Sequence, residues 1–166
     1  VKMDKTSANL NIENRNLNEL IELILKRLRP IAKQRNIDVL YESAREVFAE
    51  IDEVKLTLAI SNLVENAIKY NKEYGYVKVS LDADHQFATI MVEDNGIGIP
   101  EEAQEHIFER FYRVDKSHSR EIGGTGLGLA IARNAILLHR GSIKIDSEEG
   151  QGTVFTVKIP IIYVSK

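Results

Sequence analysis

Apolar residues recur along this chain with two periods, and the alternation between them outlines the elements. In NLNELIELILKRLRPIAKQRN, Leu17, Leu20, Ile21, Ile24, Leu28 and Ile31 keep helical spacing, which predicts a helix over roughly Leu17 to Arg35. Asn16 stands as its N-cap, with Glu19 as the reciprocal cap three residues on, and Pro30 falls inside the pattern, where it can kink the axis. A second helix, EVKLTLAISNLVENAIKYN, is capped by Asp52 and turns Leu56, Ile60, Leu63, Val64, Ala67 and Ile68 inward. IDVLYES and VFAEI are short strand candidates. After a polar turn at Lys72 to Gly75, YVKVSLD and FATIMVED alternate as paired strands do. GGTGLGLAIARNAILLH opens a third helix from a glycine cluster, and SIKIDS, a turn at EEGQG and TVFTVKIP read as a final hairpin.

Between Asn95 and Gly124 only a short helix is expected, near PEEAQEHIFERF. Pro100 suits its first position, and Glu101 and Glu102 suit its positive end. So long a stretch of irregular chain inside a compact domain points to a functional lid. Strand pairs joined by short turns, with helices between them, predict a two-layer α/β sandwich. Its sheet is mixed and largely antiparallel, with three main helices on one face.

Composition narrows the function classes. A length of 166 residues with 43% hydrophobic content fits one domain with a real core. The net charge of −3, with acids and bases mixed along the chain, gives no footprint for nucleic acid. The absence of cysteine excludes disulfides and thiolate metal sites. His85, His106, His118 and His139 are scattered without metal-ligand spacing and read as ordinary surface or half-buried residues. No apolar run approaches the roughly 20 residues of a spanning helix, and no signal peptide is visible. The chain begins at Val1 rather than methionine, as expected of a piece of something longer.

Four stretches carry candidate chemistry. In NLVENAIKYN, Asn62, Asn66 and Lys69 fall at i, i+4 and i+7 on one stripe. Two readings fit: a solvated polar face, or a phosphate and metal site in which an amide oxygen completes the coordination of Mg²⁺. DNGIGIP follows a strand and leads to Pro100 rather than to a second strand, which argues against a simple hairpin. Asp94 there could accept from an exocyclic amine such as that of adenine, with Gly96 and Gly98 letting backbone approach a flat base. GGTGLGLA leads glycines into a helix start, whose free N–H groups make an anion site; the alternative is a flexible loop with close helix packing. FERFYRVD sets Phe108, Phe111 and Tyr112 in a lid with a small apolar cluster of its own. Arg110 and Arg113 are thereby held where a guanidinium fork could reach a terminal phosphate. GQGT is explained as a hairpin turn, with a ligand role for Thr153 secondary.

Together these motifs resemble the ATP-binding catalytic domain of sensor histidine kinases, in the superfamily of gyrase, Hsp90, histidine kinases and MutL, whose architecture is the Bergerat fold. NLVENAIKY resembles the N box, DNGIGI the G1 box, FERFYRVD the F box, GGTGLGL the G2 box and GQGT the last glycine box. The resemblance implies Mg–ATP as cofactor. Asn66 would be the metal ligand, with Asn62 near the same phosphates and counted with Arg113 as catalytic. Lys69 would touch phosphate, Tyr70 would pack over the adenine, and Asp94 would read its amino group beside a wall shaped by Gly96 and Gly98. Arg113 would approach the γ-phosphate from the lid. Gly124, Thr125, Gly126, Leu127 and Gly128 would line the phosphates, and Thr153 would complete the site. Hydrolysing relatives carry a glutamate four residues before the metal-binding asparagine. Asn62 stands there instead, and an amide cannot serve as a general base at neutral pH. Glu65 lies off the stripe.

The same resemblance implies a protein-histidine kinase whose phosphoacceptor histidine lies elsewhere, since none of the four histidines sits in an HExxxP-type motif. Residues 1–14 would be a linker from an upstream dimerisation and phosphoacceptor module, 15–162 the catalytic domain and 163–166 a tail. The expected partners are that upstream module and a response regulator, with no nucleic acid. The fragment would be monomeric, the full-length protein homodimeric. The domain would be cytoplasmic, with membrane anchoring of the whole protein left open. Three competitors remain. An anti-sigma-factor-type serine kinase is disfavoured by the long lid and the linker-like opening, a gyrase- or Hsp90-type clamp by Asn62, and a binding-only module by the intact boxes.

Overall fold

Among the residues described by this computed structural model, 10–109 and 128–163, polar and apolar alternation resolves into two layers. The elements run β1 (Ile12–Asn16), α1 (Leu17–Gln34), β2 (Asp38–Ser43), β3 (Phe48–Asp52), α2 (Glu53–Lys69), β4 (Tyr76–Ala83), β5 (Phe87–Asp94), α3 (Glu101–Gln104), α4 (Gly128–Leu138), β6 (Ser142–Glu148) and β7 (Gly152–Pro160). Five strands form one sheet in the order β2-β4-β5-β7-β6, and β1 pairs with β3 in a separate ribbon. Only β2 and β4 are parallel; the other pairings in the sheet are antiparallel.

One face of the sheet is apolar at every second residue. Val77, Val79 and Leu81 of β4, Ala88, Ile90 and Val92 of β5, and Phe155, Val157 and Ile159 of β7 are all buried in one core. α1, α2 and α4 cover that face, with α2 central and packed on both α1 and α4. All six inward residues expected of α2 are buried. In α1 the buried stripe is wider than the spacing suggested and includes Leu25 and Ala32, whereas Ile31 is 49% exposed. Helix α1 continues past Pro30 to Gln34.

The helix caps match the sequence. Asn16 Oδ1 accepts from the Glu19 N–H at 3.1 Å, and Asp52 Oδ1 accepts from the Lys55 N–H at 3.0 Å. Asp52 does more than cap. Its second oxygen accepts from the Asn11 N–H at 2.9 Å, tying the chain ahead of β1 to the start of α2. Burial alone would raise this carboxyl, but the Asn11 and Lys55 N–H groups outweigh it and hold Asp52 below the ordinary carboxylate value. The contact therefore stabilises the fold above the ordinary range and is lost as pH falls through the lowered value.

His139 departs from the expected surface or half-buried role. It is 1% exposed. Its Nε2 accepts from the Asp52 N–H at 3.0 Å, and its Nδ1 faces the Ala135 carbonyl at 2.8 Å. A carbonyl only accepts, so Nδ1 carries the ring proton and the imidazole links α4 to the α2 cap. Replacing His139 by Leu orphans a buried N–H. The unfolding free energy should fall by about 1–3 kcal/mol, read as a lower urea midpoint at unchanged slope. An unchanged midpoint would count against this role.

Candidate functional site

Helix α2 places three expected side chains along one rim of the helical layer. Asn62, Asn66 and Lys69 are all half-buried, while the opposite side of the helix enters the core. Asn62 Nδ2 donates to the Gly128 carbonyl at 3.2 Å, so the stripe is fastened to the first residue of α4. Among the described residues nothing hydrogen-bonds the Asn66 side chain. The nearby Asn71 is different in kind. Its Nδ2 donates to the Tyr76 carbonyl at 2.9 Å and its Oδ1 accepts from the Lys72 N–H at 2.8 Å, which builds the turn into β4.

In the sheet, Val77, Asp94, Thr153 and Ser147 are register neighbours in one row over β4, β5, β7 and β6. They share parity with the core residues Val79, Val92, Phe155 and Ile145, so the row faces the helices. Asp94 is 9% exposed, and its Oδ1 accepts from the Gly96 N–H at 2.8 Å. Burial pushes its carboxyl up to about 6, opposed by the Gly96 and Thr153 backbone N–H groups and aided slightly by Glu93. A buried carboxylate with so raised a value, at a strand end beside a loop, is a mark of a binding site.

The Asn95–Pro100 loop is pinned on two sides. The Ile97 N–H donates to the Tyr70 carbonyl at the end of α2 (3.1 Å), and the Gly150 N–H donates to the Ile97 carbonyl (2.7 Å). A Cβ on Gly96 would overlap the Tyr70 carbonyl, and one on Gly98, whose φ is +70°, would overlap the Glu148 carbonyl. The space left by these missing side chains is thus taken by the protein's own backbone. The glycines shape the loop wall by letting it pack against the C-terminus of α2 and the β6–β7 turn.

Two residues not singled out in the sequence complete this wall. Gln104 of α3 donates from Nε2 to the Ile99 carbonyl (2.9 Å) and the Ser147 carbonyl (3.0 Å). Ser147 hydrogen-bonds both the Ile99 N–H and Thr153. A signal for Ser147 was available: in SIKIDS it follows Ile143 and Ile145 at the inward positions, where an apolar residue is expected.

Phe108, the one ring of the expected lid cluster that lies among the described residues, packs onto the domain. Phe108 meets the core ring of Phe155 edge-on, with centroids 6.2 Å apart, and the Arg133 guanidinium of α4 lies 6.0 Å from the Phe108 centroid. The remaining lid and glycine-loop candidates, Arg110, Phe111, Tyr112, Arg113, Gly124, Thr125, Gly126 and Leu127, lie outside the described residues, as does His118. Among the described residues no group of three His, Asp or Glu side chains gathers as a metal cage. No described helix is long and apolar enough to cross a membrane.

Residues 51–162 match the family described as histidine kinase-, DNA gyrase B- and HSP90-like ATPases, and the chain belongs to that family. Within it, the similarity is to sensor histidine kinases. The sensor histidine kinase RppB of Synechocystis is 44% identical over 149 residues, covering 89% of this chain and 33% of RppB. The sensor histidine kinase WalK of Bacillus subtilis is 39% identical over 162 residues, covering 96% of this chain and 26% of WalK. The chain therefore spans about a third or less of the length of these relatives. The catalytic domain of histidine kinase ThkA superposes with a TM-score of 0.81 at 32% identity, covering 92% of this chain and 97% of that domain. ThkA in complex with the response regulator TrrA gives 0.76 at 30% identity, covering 90% of this chain and 42% of that one. The chain is thus a histidine-kinase-type ATPase domain, and its fold is the two-layer sandwich its sequence predicts.

Proposed function

We propose that this domain holds Mg–ATP between the α2 stripe and the Asp94 row and donates the γ-phosphoryl to a histidine on a separate module of the same protein. The observation that carries this is the buried, raised-pKa Asp94 carboxylate on the helix-facing side of the sheet, whose loop is pinned to the C-terminal end of the helix that carries the Asn66 amide. The donor set fits the ion. With no carboxylate cage among the described residues, a magnesium ion would take the Asn66 oxygen as protein ligand and the rest from phosphate and water. When bound, the ion neutralises charge across the terminal phosphates.

The chain's own residues position and shield. Asp94 accepts from the adenine amino group, and Tyr70, at the α2 C-terminus beside the pinned loop, packs over the base. Gly96 and Gly98 keep the loop wall in place. Lys69 adds positive charge one turn beyond Asn66. Gly124, Thr125, Gly126, Leu127 and Gly128 offer N–H groups to phosphate, and Arg113 reaches the γ-phosphate. Asn62, held against the Gly128 carbonyl, keeps α4 seated and offers no base to activate water, which favours transfer over hydrolysis.

In this reading residues 1–14 link to an upstream dimerisation and phosphoacceptor module, 15–162 are the catalytic domain and 163–166 a tail. The domain is cytoplasmic and monomeric by itself, within a homodimeric kinase that passes phosphate to a response regulator. Anchoring in the cell membrane would belong to segments outside this domain. Incubating the chain with γ-labelled Mg–ATP and a histidine-bearing dimerisation helix pair should label the helix pair at its histidine. Rapid hydrolysis with no label transferred would overturn the proposal in favour of a nucleotide-driven clamp.

A further inference from the structure

The Ser147 hydroxyl has more neighbours than its single proton can serve. Its Oγ lies 2.8 Å from the Ile99 nitrogen, 2.9 Å from the Gly152 carbonyl oxygen and 2.8 Å from Thr153 Oγ1. A serine hydroxyl has one proton to donate and two lone pairs to accept with. The Ile99 N–H can only donate, so it uses one lone pair. The Gly152 carbonyl can only accept, so it takes the Ser147 proton. The third contact then has one solution: Thr153 donates to Ser147. Thr153 is 6% exposed and stands beside Asp94 in the strand register, on the helix-facing side. With its proton committed to Ser147, it offers only lone pairs toward the pocket.

We infer that Ser147 is a specificity-determining positioning residue: by taking the Thr153 proton it makes the base pocket acceptor-only, selecting a 6-amino purine over a 6-oxo purine. The inference rests on the nucleotide site proposed above. At the purine 6-position Asp94 and Thr153 both accept, which suits the amino N–H bonds of adenine and opposes the O6 carbonyl that replaces them in hypoxanthine. Removing the Ser147 hydroxyl frees the Thr153 proton, which can then rotate and donate to O6. The Ile99 N–H and the Gly152 carbonyl lose their partner at the same time, but that loosens the loop and the β7 start for either base and cancels in a ratio of affinities.

Dissociation constants for Mg–ATP and Mg–ITP, measured by calorimetry on the same chain, test this. The wild type should prefer ATP. Ser147→Ala should narrow the ATP/ITP ratio about fivefold to tenfold, the value of one hydrogen bond. Ser147→Thr, which keeps the hydroxyl, should restore it, and Ser147→Ala made on top of Thr153→Val should leave the ratio of Thr153→Val unmoved. Equal weakening of both nucleotides by Ser147→Ala overturns the inference and leaves Ser147 a structural prop. Narrowing that persists without the Thr153 hydroxyl overturns it as well. If the wild type binds neither nucleotide, the site itself falls, and that outcome is distinct from the other two.

Discussion

Asp94→Asn should stabilise the folded domain at pH 7 by about 1–3 kcal/mol while weakening ATP binding by about 100-fold or more. The two effects have one source. An unfolded aspartate titrates near ~4, whereas burial pushes the folded Asp94 up to about 6. Between those values the folded chain keeps a proton that the unfolded chain has released. Stability from this group therefore declines as pH rises through that window, and the full penalty is present above it. Asparagine is isosteric and carries no charge to desolvate. It keeps an oxygen for the Gly96 N–H, which lies 2.8 Å from Oδ1 in the native residue. Urea unfolding of both proteins from pH 4 to 8 should show almost no difference at the acid end and a gap that widens to a plateau near neutrality. A gap of constant size across that range would show that desolvation of the carboxylate is not its cause. The loss of affinity follows because a neutral amide accepts less strongly from an amino group and can present its own N–H there instead. A residue that weakens its own fold in the charged form it needs for binding is the expected signature of a functional site.

How much of this was legible beforehand depends on the range of the interactions involved. α1 and α2 could be read because period, cap and apolar stripe are all local: Asn16 and Asp52 stand where their helices begin. The strand pairs could be read from alternation in YVKVSLD and FATIMVED. β1 could not. IENRN has no apolar alternation, because its ribbon with β3 leaves its three middle residues exposed. Likewise Ile31 satisfied the helical spacing yet faces outward, since α1 packs toward Leu25 and Ala32. For the site, the Asn62–Asn66–Lys69 stripe was visible as a helical pattern. The row of Asp94, Thr153 and Ser147 was not, because it exists only once β5, β7 and β6 are in register. The buried role of His139 also depends on a distant partner, the N–H of Asp52.

Replacing Asn66 by Ala should abolish the magnesium dependence of ATP binding and leave the fold intact. The side chain is half-buried on the α2 rim and hydrogen-bonded by no described residue, so its removal orphans no described donor or acceptor. Alanine is also the better helix former by roughly 0.5 kcal/mol, so the melting temperature should stay level or rise slightly. The functional loss should be specific. In the wild type, adding magnesium should tighten ATP binding, because in the proposed site the Asn66 oxygen would hold the ion together with the phosphates. In the variant the protein has lost its hold on the ion, and affinity with magnesium should fall by about 10–100-fold. With the metal chelated, the two proteins should bind ATP alike, since the proposed base contacts at Asp94 and its loop are untouched by the substitution. The comparison thus separates the metal limb of the site from the base limb, which Asp94→Asn removes instead. A variant that still tightens on ATP when magnesium is added would take Asn66 out of the metal site and place the ion on residues other than the α2 stripe.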